Sequence, residues 1–225
     1  MRRFRAATLL VFSLLVSVSG LSAQDRITDL EPTVILISID GFRYDYIEKY
    51  SPPVISQLAA NGTRAEWLIP SYPTKTFPNH YTVVTGLYPG SHGVVENNMY
   101  DAKIGQVFGI SKPEQVRDPR WWSGEPIWNT VQKNGRPAAS FFWPGSEAPI
   151  GGMVPMYWKK YDHQTPHEER VDTVLSWLDL GRAKRPVFIS LYFSDVDDAG
   201  HSFGPESAEN QAAIRKVDNS IGRLW

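Results

Sequence analysis

The sequence contains no cysteine, and its acidic and basic residues nearly balance. The absence of cysteine excludes a disulfide framework and a thiolate metal site, so any metal ion must be held by oxygen or imidazole ligands. The 23 basic residues face 24 acidic ones, and no long basic run occurs, which does not indicate a surface for nucleic acid. A composition of 42% hydrophobic and 21% charged residues is typical of a folded chain.

The chain also lacks an apolar run long enough to cross a bilayer comfortably. The stretch AATLLVFSLLVSV near the N-terminus follows three arginines and precedes the small-residue segment GLSAQD, a pattern typical of a secretory signal peptide. We predict a signal peptide at 1–23, cleaved after Ala23, and a mature protein that is periplasmic or secreted. An uncleaved anchor is the alternative. The Asn-Gly-Thr sequence at Asn61 predicts glycosylation only in a eukaryotic host.

Three apolar runs are predicted to form buried strands: TVILISI, PAASFFW and PVFISLYF, at 33–39, 137–143 and 186–193. Helical patterns lie between them, and this alternation predicts an α/β fold, with a mostly parallel central sheet and helices on both faces. Ligands of such sheets bind beyond the carboxyl ends of the strands, where Asp40 and the segment 194–201 both lie.

Helices are predicted where apolar residues recur with helical spacing. The stretch 101–124 shows no clear period and is predicted to be a long surface excursion. The predicted helices cover 53–62, 125–135, 167–180 and the last segment, SAENQAAIRKVDNSIGRLW.

The segment YPTKTFPNHYTVVTG, at 72–86, raises the question of what Thr76 does. Pro78 suits the first turn of a helix, and Gly86 is predicted to end that helix. Thr76 then lies at the helix N-terminus, either as an N-cap or as a residue whose hydroxyl meets a phosphate bound there. A threonine hydroxyl is a poor nucleophile unless a base or a metal lowers its pKa, so the second interpretation requires a cation nearby.

The acidic segment SDVDDAGHSFGPE, at 194–206, allows two kinds of metal site. Four of its residues match ligand or turn positions of an EF-hand calcium loop, although an EF-hand follows a helix and this segment follows a predicted strand. The other interpretation pairs Asp197 with His201 as zinc ligands in a loop, an incomplete set because catalytic zinc usually takes three protein ligands. Asp40 is a further candidate ligand, or else caps a turn with Gly41.

His201 is the best candidate ligand among the five histidines. A structural role is predicted for the other four. His92 is expected to hold a turn, His80 to pack or form hydrogen bonds on the helix after Thr76, and His163 and His167 to be solvated.

Six motifs occur in one order along the chain: ISIDGFRYDY, PTKTFPNHYTVVTGLYPGSHGVVENNMYD, GEPIW, FFWPGSE, HEERVDTVLSWL and DVDDAGHSFGP. From about residue 32 to the end, they resemble the nucleotide pyrophosphatase/phosphodiesterase (type I phosphodiesterase) family of the alkaline phosphatase superfamily. The resemblance implies an alkaline-phosphatase-like fold. It also implies a hydrolase with two zinc ions, which cleaves phosphodiester or pyrophosphate bonds in nucleotides through a phospho-threonine intermediate and releases nucleoside monophosphates.

The resemblance also implies roles for single residues. Asp40 and Thr76 correspond to ligands of one zinc ion, with Thr76 as the nucleophile as well. Asp197 and His201 correspond to ligands of the other ion. Asn97 corresponds to the asparagine that donates a hydrogen bond to a phosphoryl oxygen.

On the substrate side, the resemblance implies that Phe77 and Tyr161 stack on a nucleobase, and Lys75 is a further candidate contact. Glu147 stands where many family members have aspartate, which leaves that nucleotide contact open. Some members of the family cleave choline-bearing lipids. Because aromatic faces also attract quaternary ammonium groups, a choline-phosphodiester phosphodiesterase is the alternative.

The family takes further zinc ligands, an Asp-His pair and a last histidine, from downstream positions, and this sequence has no histidine after His201. The resemblance therefore predicts that 24–225 is the N-terminal part of a longer catalytic domain. On that view both ligand sets are incomplete, and a catalytically incompetent fragment or a non-catalytic binding protein is the third hypothesis. The expected partner is a small-molecule nucleotide.

Overall fold

The three predicted apolar runs and one further short strand form a four-stranded parallel sheet, and two other strands form a separate antiparallel hairpin. The computed structural model describes residues 32–225, and the predicted signal peptide at 1–23 lies outside the described residues. In chain order the strands are β1 (Val34–Ile39), β2 (Asn98–Asp101), β3 (Gln106–Gly109), β4 (Ala138–Phe141), β5 (Tyr157–Lys159) and β6 (Phe188–Phe193). The parallel sheet has the order β1-β6-β4-β5, and the hairpin pairs β2 with β3.

Helices cover both faces of the sheet, as predicted, because side chains along each strand alternate between two apolar clusters. In β1, Leu36 packs into one cluster and its neighbours Ile35 and Ile37 into the other. In chain order the helices are α1 (Tyr46–Tyr50), α2 (Pro53–Asn61), α3 (Thr76–Thr85), α4 (Pro89–His92), α5 (Pro113–Val116), α6 (Ile127–Lys133), α7 (His167–Leu178), α8 (Asp195–Phe203) and α9 (Ala208–Leu224).

Each apolar cluster is closed by its own helices. Tyr81 of α3 and Trp128 of α6 are fully buried in the cluster that contains Leu36. The other cluster is covered by α2, α7 and α9, and the α9 residues Val217 and Ile221 are buried there. The predicted apolar face of the last helix is therefore confirmed.

The stretch 101–124 lies mostly at the surface, as predicted, but a few of its residues also belong to the core. It contains β3, α5 and a 3-10 turn at Pro119–Trp121. Phe108, Trp121 and Trp122 are buried in the cluster with Tyr81. These elements span only three or four residues each, too few to show a period, and the large area of the aromatic rings draws the stretch into the core.

The parallel pairing of β1 with β6 brings two candidate segments to one edge of the sheet. Ile39 is the register partner of Phe193, so both strands end at the same level. The chain leaves β1 at Asp40 and leaves β6 at Ser194, one residue before α8 begins. The site predicted at the carboxyl ends of the strands thus has a structural basis.

Candidate functional site

Thr76 is the first residue of α3. Lys75 occupies the N-cap position and makes no side-chain capping bond, so Thr76 is not an N-cap. Gly86 ends the helix as predicted, with a φ of 69°. The side-chain amide of Asn79 donates to the carbonyl oxygens of Pro73 and Lys75, both at 3.0 Å, and these bonds fix the chain as it enters the helix.

The residues predicted to hold metal and phosphate line one open cleft of about 810 Å³ at the carboxyl edge of the sheet. They come from the end of β1, the start of α3, the segment before β2, and α8. The residues are Asp40, Thr76, Asn97, Asp197 and His201. The fold therefore gathers side chains that are up to 161 positions apart in the sequence, counting from Asp40 to His201.

The segment after β6 is helical, so the predicted loop was wrong. α8 contains Asp197 and His201 one turn apart, with 3.6 Å between His201 Nε2 and Asp197 Oδ1. An EF-hand loop is excluded because its ligands wrap around the ion, whereas here the same residues form a helix. Acidic residues in the first turn favour that helix, because its N-terminus carries partial positive charge.

Glycine at position 41 allows α8 to lie against the turn after β1. Gly41 has a φ of +71°, and a Cβ there would lie 2.7 Å from the Cα of Asp197. The turn that Asp40 was predicted to form with Gly41 is present, and it places the Asp40 carboxylate next to α8.

The carboxylates of Asp40 and Asp197 lie close enough in the cleft to influence each other. Burial raises the pKa of Asp197, and the nearby carboxylate of Asp40 raises it further, while His201 opposes the rise. Tyr192 of β6 donates its hydroxyl hydrogen to Asp40 Oδ2 at 2.8 Å. Two carboxylates in a half-buried cleft favour the binding of a cation between them.

The candidate ligands are of types that bind zinc, but there are too few of them for two complete zinc sites. Carboxylate, hydroxyl and imidazole groups are all zinc ligands, and they divide into Asp40 with Thr76 and Asp197 with His201. Each pair is one short of the three protein ligands that catalytic zinc usually takes. Among residues 32–225, no group of three or more histidine, aspartate or glutamate side chains is arranged to hold a metal ion.

Asn97 is fixed beside Thr76 in a defined orientation. Its Oδ1 accepts a hydrogen bond of 3.0 Å from the backbone N–H of Phe77. Since a backbone N–H can only donate, the amide oxygen must face the helix, and the Nδ2 group is left to donate elsewhere. Asn97 lines the cleft, so it can donate to a group bound over Thr76.

A second, narrower pocket of about 230 Å³ adjoins the cleft, and both are lined by Thr76 and Asp197. Phe77 and Tyr161 line this pocket together. The ring of Phe77 is held by Phe108 and Trp122, each with its ring centroid 5.9 Å away. The two residues predicted to stack on a base are therefore in one place, whereas Lys75, the further candidate substrate contact, lines the cleft.

Glu147, whose role the sequence left open, also lines the aromatic pocket. Its Oε1 accepts a hydrogen bond of 2.7 Å from the backbone N–H of Tyr161. The carboxylate thus helps to place Tyr161, and Tyr161 packs edge-on against Phe142 with 5.2 Å between ring centroids.

The other histidines behave as predicted with one exception. His92 is buried and holds a turn by accepting the N–H of Val94, and His163 is exposed. The prediction that His167 is solvated was wrong, because this side chain is 4% exposed. Its two ring nitrogens bind Asp195 and Ser220, at 2.9 Å and 2.8 Å, and these bonds explain how a polar ring is buried.

Sequence reasoning missed Tyr192 and its bond to Asp40. Tyr192 lies in the middle of an apolar run, which is typical of a core aromatic residue. Only the register of β6 against β1, which pairs Tyr192 with Ser38, shows that its hydroxyl points to the candidate site.

Comparison with known proteins decides the family. Residues 34–225 match the family described as type I phosphodiesterase / nucleotide pyrophosphatase. The chain belongs to this family. Its fold is also that of a solved member, murine ectonucleotide pyrophosphatase/phosphodiesterase 5, with a TM-score of 0.81 and 33% identity over 85% of this chain and 51% of that one.

Other relatives of the type I phosphodiesterase family are closer in sequence. Ectonucleotide pyrophosphatase/phosphodiesterase family member 3 of Mus musculus is 47% identical over 86% of this chain and 22% of that protein. Venom phosphodiesterase of Macrovipera lebetinus is 48% identical over 85% of this chain and 23% of that protein. The chain thus spans less than a quarter of the length of these two relatives and about half of the solved chain.

A second structure of murine ectonucleotide pyrophosphatase/phosphodiesterase 5 matches with the same TM-score of 0.81 and 33% identity, over 86% of this chain and 51% of that one. That protein is described as an inactive threonine-to-alanine variant in complex with AMP.

Within residues 32–225 of the present chain, no helix is both long and apolar enough to cross a membrane.

Proposed function

We propose that the full-length protein is a zinc-dependent hydrolase that cleaves phosphodiester or pyrophosphate bonds in nucleotides and releases nucleoside monophosphates. The observation that carries this proposal is the placement of Thr76, at the start of a helix, where the cleft that contains Asp40 and Asp197 meets the aromatic pocket. A phosphate over Thr76 then has cation ligands on one side and flat apolar rings on the other. The inactive threonine variant of the murine relative, solved with AMP, supports the same assignment.

In the proposed reaction, the Thr76 oxygen attacks phosphorus as an alkoxide, in line with the leaving group. The bond from phosphorus to the leaving group breaks, and a phospho-threonine intermediate that still carries the nucleoside forms. Water then attacks phosphorus, the Thr76 oxygen departs, and the nucleoside monophosphate is released. Zinc ions bound by Asp40 with Thr76 and by Asp197 with His201 would lower the pKa of the attacking hydroxyl and offset charge on the phosphoryl oxygens.

Residues 24–225 are proposed to be the N-terminal part of the catalytic domain. Each pair of candidate ligands needs at least one more donor, and the chain spans only about half of the solved relative. Activity is therefore expected of the full-length protein and should be measured on it.

We place the protein outside the cytoplasm, in the periplasm or secreted. The support is the signal-like sequence at 1–23, outside the described residues, and the names of the relatives, which are ectonucleotide and venom enzymes.

The function is tested by offering full-length protein two chromogenic esters under the same conditions, a p-nitrophenyl nucleoside monophosphate and p-nitrophenyl phosphocholine. We expect the nucleotide ester to give the higher kcat/KM, because Phe77 and Tyr161 line a pocket suited to a flat base. EDTA should abolish turnover and added zinc should restore it. A higher kcat/KM for the phosphocholine ester would favour the choline-type alternative, and turnover unaffected by EDTA would contradict the zinc proposal.

Replacing Asn97 with alanine is expected to lower kcat by about 10²–10³-fold, as the loss of an oxyanion donor does in other hydrolases. The backbone bond from Phe77 shows which end of the amide faces the site, so Asn97→Asp offers a sharper test. Aspartate keeps the acceptor for Phe77 and replaces the donor with a negative charge. The Asn97→Asp variant should retain the fold, as measured by thermal melting, and its kcat should fall at least as far as that of Asn97→Ala. An Asn97→Asp protein with wild-type kcat would contradict the donor role.

A further inference from the structure

The buried side chain of His80 lies behind the proposed nucleophile and connects it to the strand that ends in Asp40. Its Nδ1 is 2.7 Å from the backbone carbonyl oxygen of Thr76, and its Nε2 is 2.7 Å from the hydroxyl oxygen of Ser38. Ser38 is two residues before Asp40 on β1. One imidazole therefore joins the first turn of α3 to the end of β1.

The partners of His80 determine where its hydrogen lies. A carbonyl oxygen can only accept, so Nδ1 must carry a hydrogen and donate it to Thr76. In the neutral ring Nε2 is then an acceptor, and the Ser38 hydroxyl donates to it. Burial lowers the pKa of His80, although the Asp40 carboxylate opposes this.

The ring of His80 is also fixed from its sides. Trp143 and Tyr192 pack edge-on against it, with centroid distances of 5.2 Å and 5.1 Å. The indole N–H of Trp143 donates to the backbone carbonyl of His80 at 3.0 Å. Tyr192 also donates a hydrogen bond to Asp40. The His80 ring therefore binds Thr76 directly and packs against a residue that binds Asp40.

We propose that His80 is a positioning residue for the hydrolysis, which holds the Thr76 backbone at a fixed distance from the Asp40 end of β1. This inference rests on the proposed function, because it assigns His80 the task of aiming the Thr76 hydroxyl at phosphorus. His80 lines the cleft, but neither of its ring nitrogens is free to bind a substrate, because one contacts Ser38 and the other Thr76. A displacement of about 1 Å at a nucleophile can cost about 10²-fold in rate, so a fixed backbone here has kinetic value.

Two variants of the full-length protein test the two hydrogen bonds of the His80 ring one at a time. In His80→Asn, the side-chain amide can occupy the place of Nδ1 and still donate to the Thr76 carbonyl. In His80→Gln, the amide extends toward Ser38 and the bond to Thr76 is lost. We expect kcat to fall less than tenfold for asparagine and about 10²-fold for glutamine, with KM changed by less than about threefold in both.

Ser38→Ala provides a milder variant that removes only a hydroxyl. It leaves His80 Nε2 without its donor, and we expect kcat to fall about tenfold, the equivalent of one hydrogen bond. Its melting temperature should stay close to that of the wild-type protein, so this arm remains informative if His80→Gln does not fold.

His92→Asn is the matched control. His92 is another buried histidine that binds α3, through the carbonyl of Pro78 and the hydroxyl of Thr82, and within residues 32–225 it forms no hydrogen bond with Thr76. We expect it to lower the melting temperature and leave kcat within about threefold of wild type.

The readouts are kcat, KM, melting temperature, zinc content and the rate of the first-turnover burst with a nitrophenyl nucleotide ester. The proposal predicts a slower burst in His80→Gln at unchanged zinc content. Equal kcat values for His80→Gln and His92→Asn at equal melting temperature would overturn it, as would a wild-type burst rate in both His80→Gln and Ser38→Ala. If instead Thr76→Ala retains activity, the proposed function fails, and that result is distinct from a failure of His80 alone.

Discussion

Replacing Thr76 with alanine is expected to lower kcat of the full-length protein toward a nitrophenyl nucleotide ester by about 10⁴-fold or more. Loss of the nucleophile in covalent hydrolases has effects of this size, because the remaining groups only bind and polarise the substrate. The structure gives Thr76 no role in capping its helix, so removal of the hydroxyl should not unfold α3. Steady-state kinetics and thermal melting, measured on the same preparation, check both halves of the expectation.

Thr85→Ala is the control for this result. Thr85 is the last residue of the same helix, and its hydroxyl donates to the carbonyl of Tyr81 at 2.7 Å, away from the cleft. We expect this variant to keep wild-type kcat. Thr76→Ser should retain measurable turnover, since it preserves a hydroxyl at the same carbon. Full activity in Thr76→Ala would refute the nucleophile assignment.

Replacing Gly41 with alanine is the second change for which a large effect is expected. A Cβ at this position would lie 2.7 Å from the Cα of Asp197 and 2.8 Å from its backbone nitrogen. Contacts this short with backbone atoms force either α8 or the turn after β1 to move. Because Asp40 is on one side of the contact and Asp197 on the other, the two pairs of candidate ligands should separate. We expect kcat/KM to fall about 10²-fold or more and zinc content to decrease.

A control at Gly105 distinguishes the steric contact at Gly41 from the cost of placing alanine at a positive φ. Gly105, in the turn between β2 and β3, has the same φ of +71° and no atom within 4 Å of an added Cβ. Gly105→Ala therefore carries the cost of a left-handed alanine without the clash, and it should lower stability slightly while activity stays at the wild-type level. If Gly41→Ala behaved like Gly105→Ala in both zinc content and kcat/KM, the close approach of α8 would have no functional role.

Much of the fold follows from local sequence. The strands β1, β4 and β6 are predicted by apolar runs that closely match their observed bounds, and α3 by Pro78 and Gly86 at its two ends. The place of the site follows as well, since the carboxyl ends of parallel strands are where ligands bind. The order of the six motifs along the chain also indicates the family to which the chain belongs.

The parts that sequence did not predict depend on contacts between distant residues. The hydroxyl bond of Tyr192 to Asp40 exists only because β6 pairs with β1 in one register. The burial of His167 depends on Asp195 and Ser220, which α8 and α9 bring to it. The segment 101–124 joins the core through a few aromatic side chains rather than through a repeating pattern, so no periodicity could reveal it.

The central claim is that the Thr76 oxygen becomes covalently bonded to phosphorus during turnover. It is tested most directly by mixing zinc-loaded full-length protein with a nitrophenyl nucleotide ester, quenching with acid within the first turnover, and mapping modified peptides by mass spectrometry. We predict a peptide containing 72–86 whose mass is increased by one nucleoside monophosphate minus water, with fragmentation placing the addition on Thr76. Rapid product formation with this peptide unmodified, or with the addition on another residue, would contradict the account.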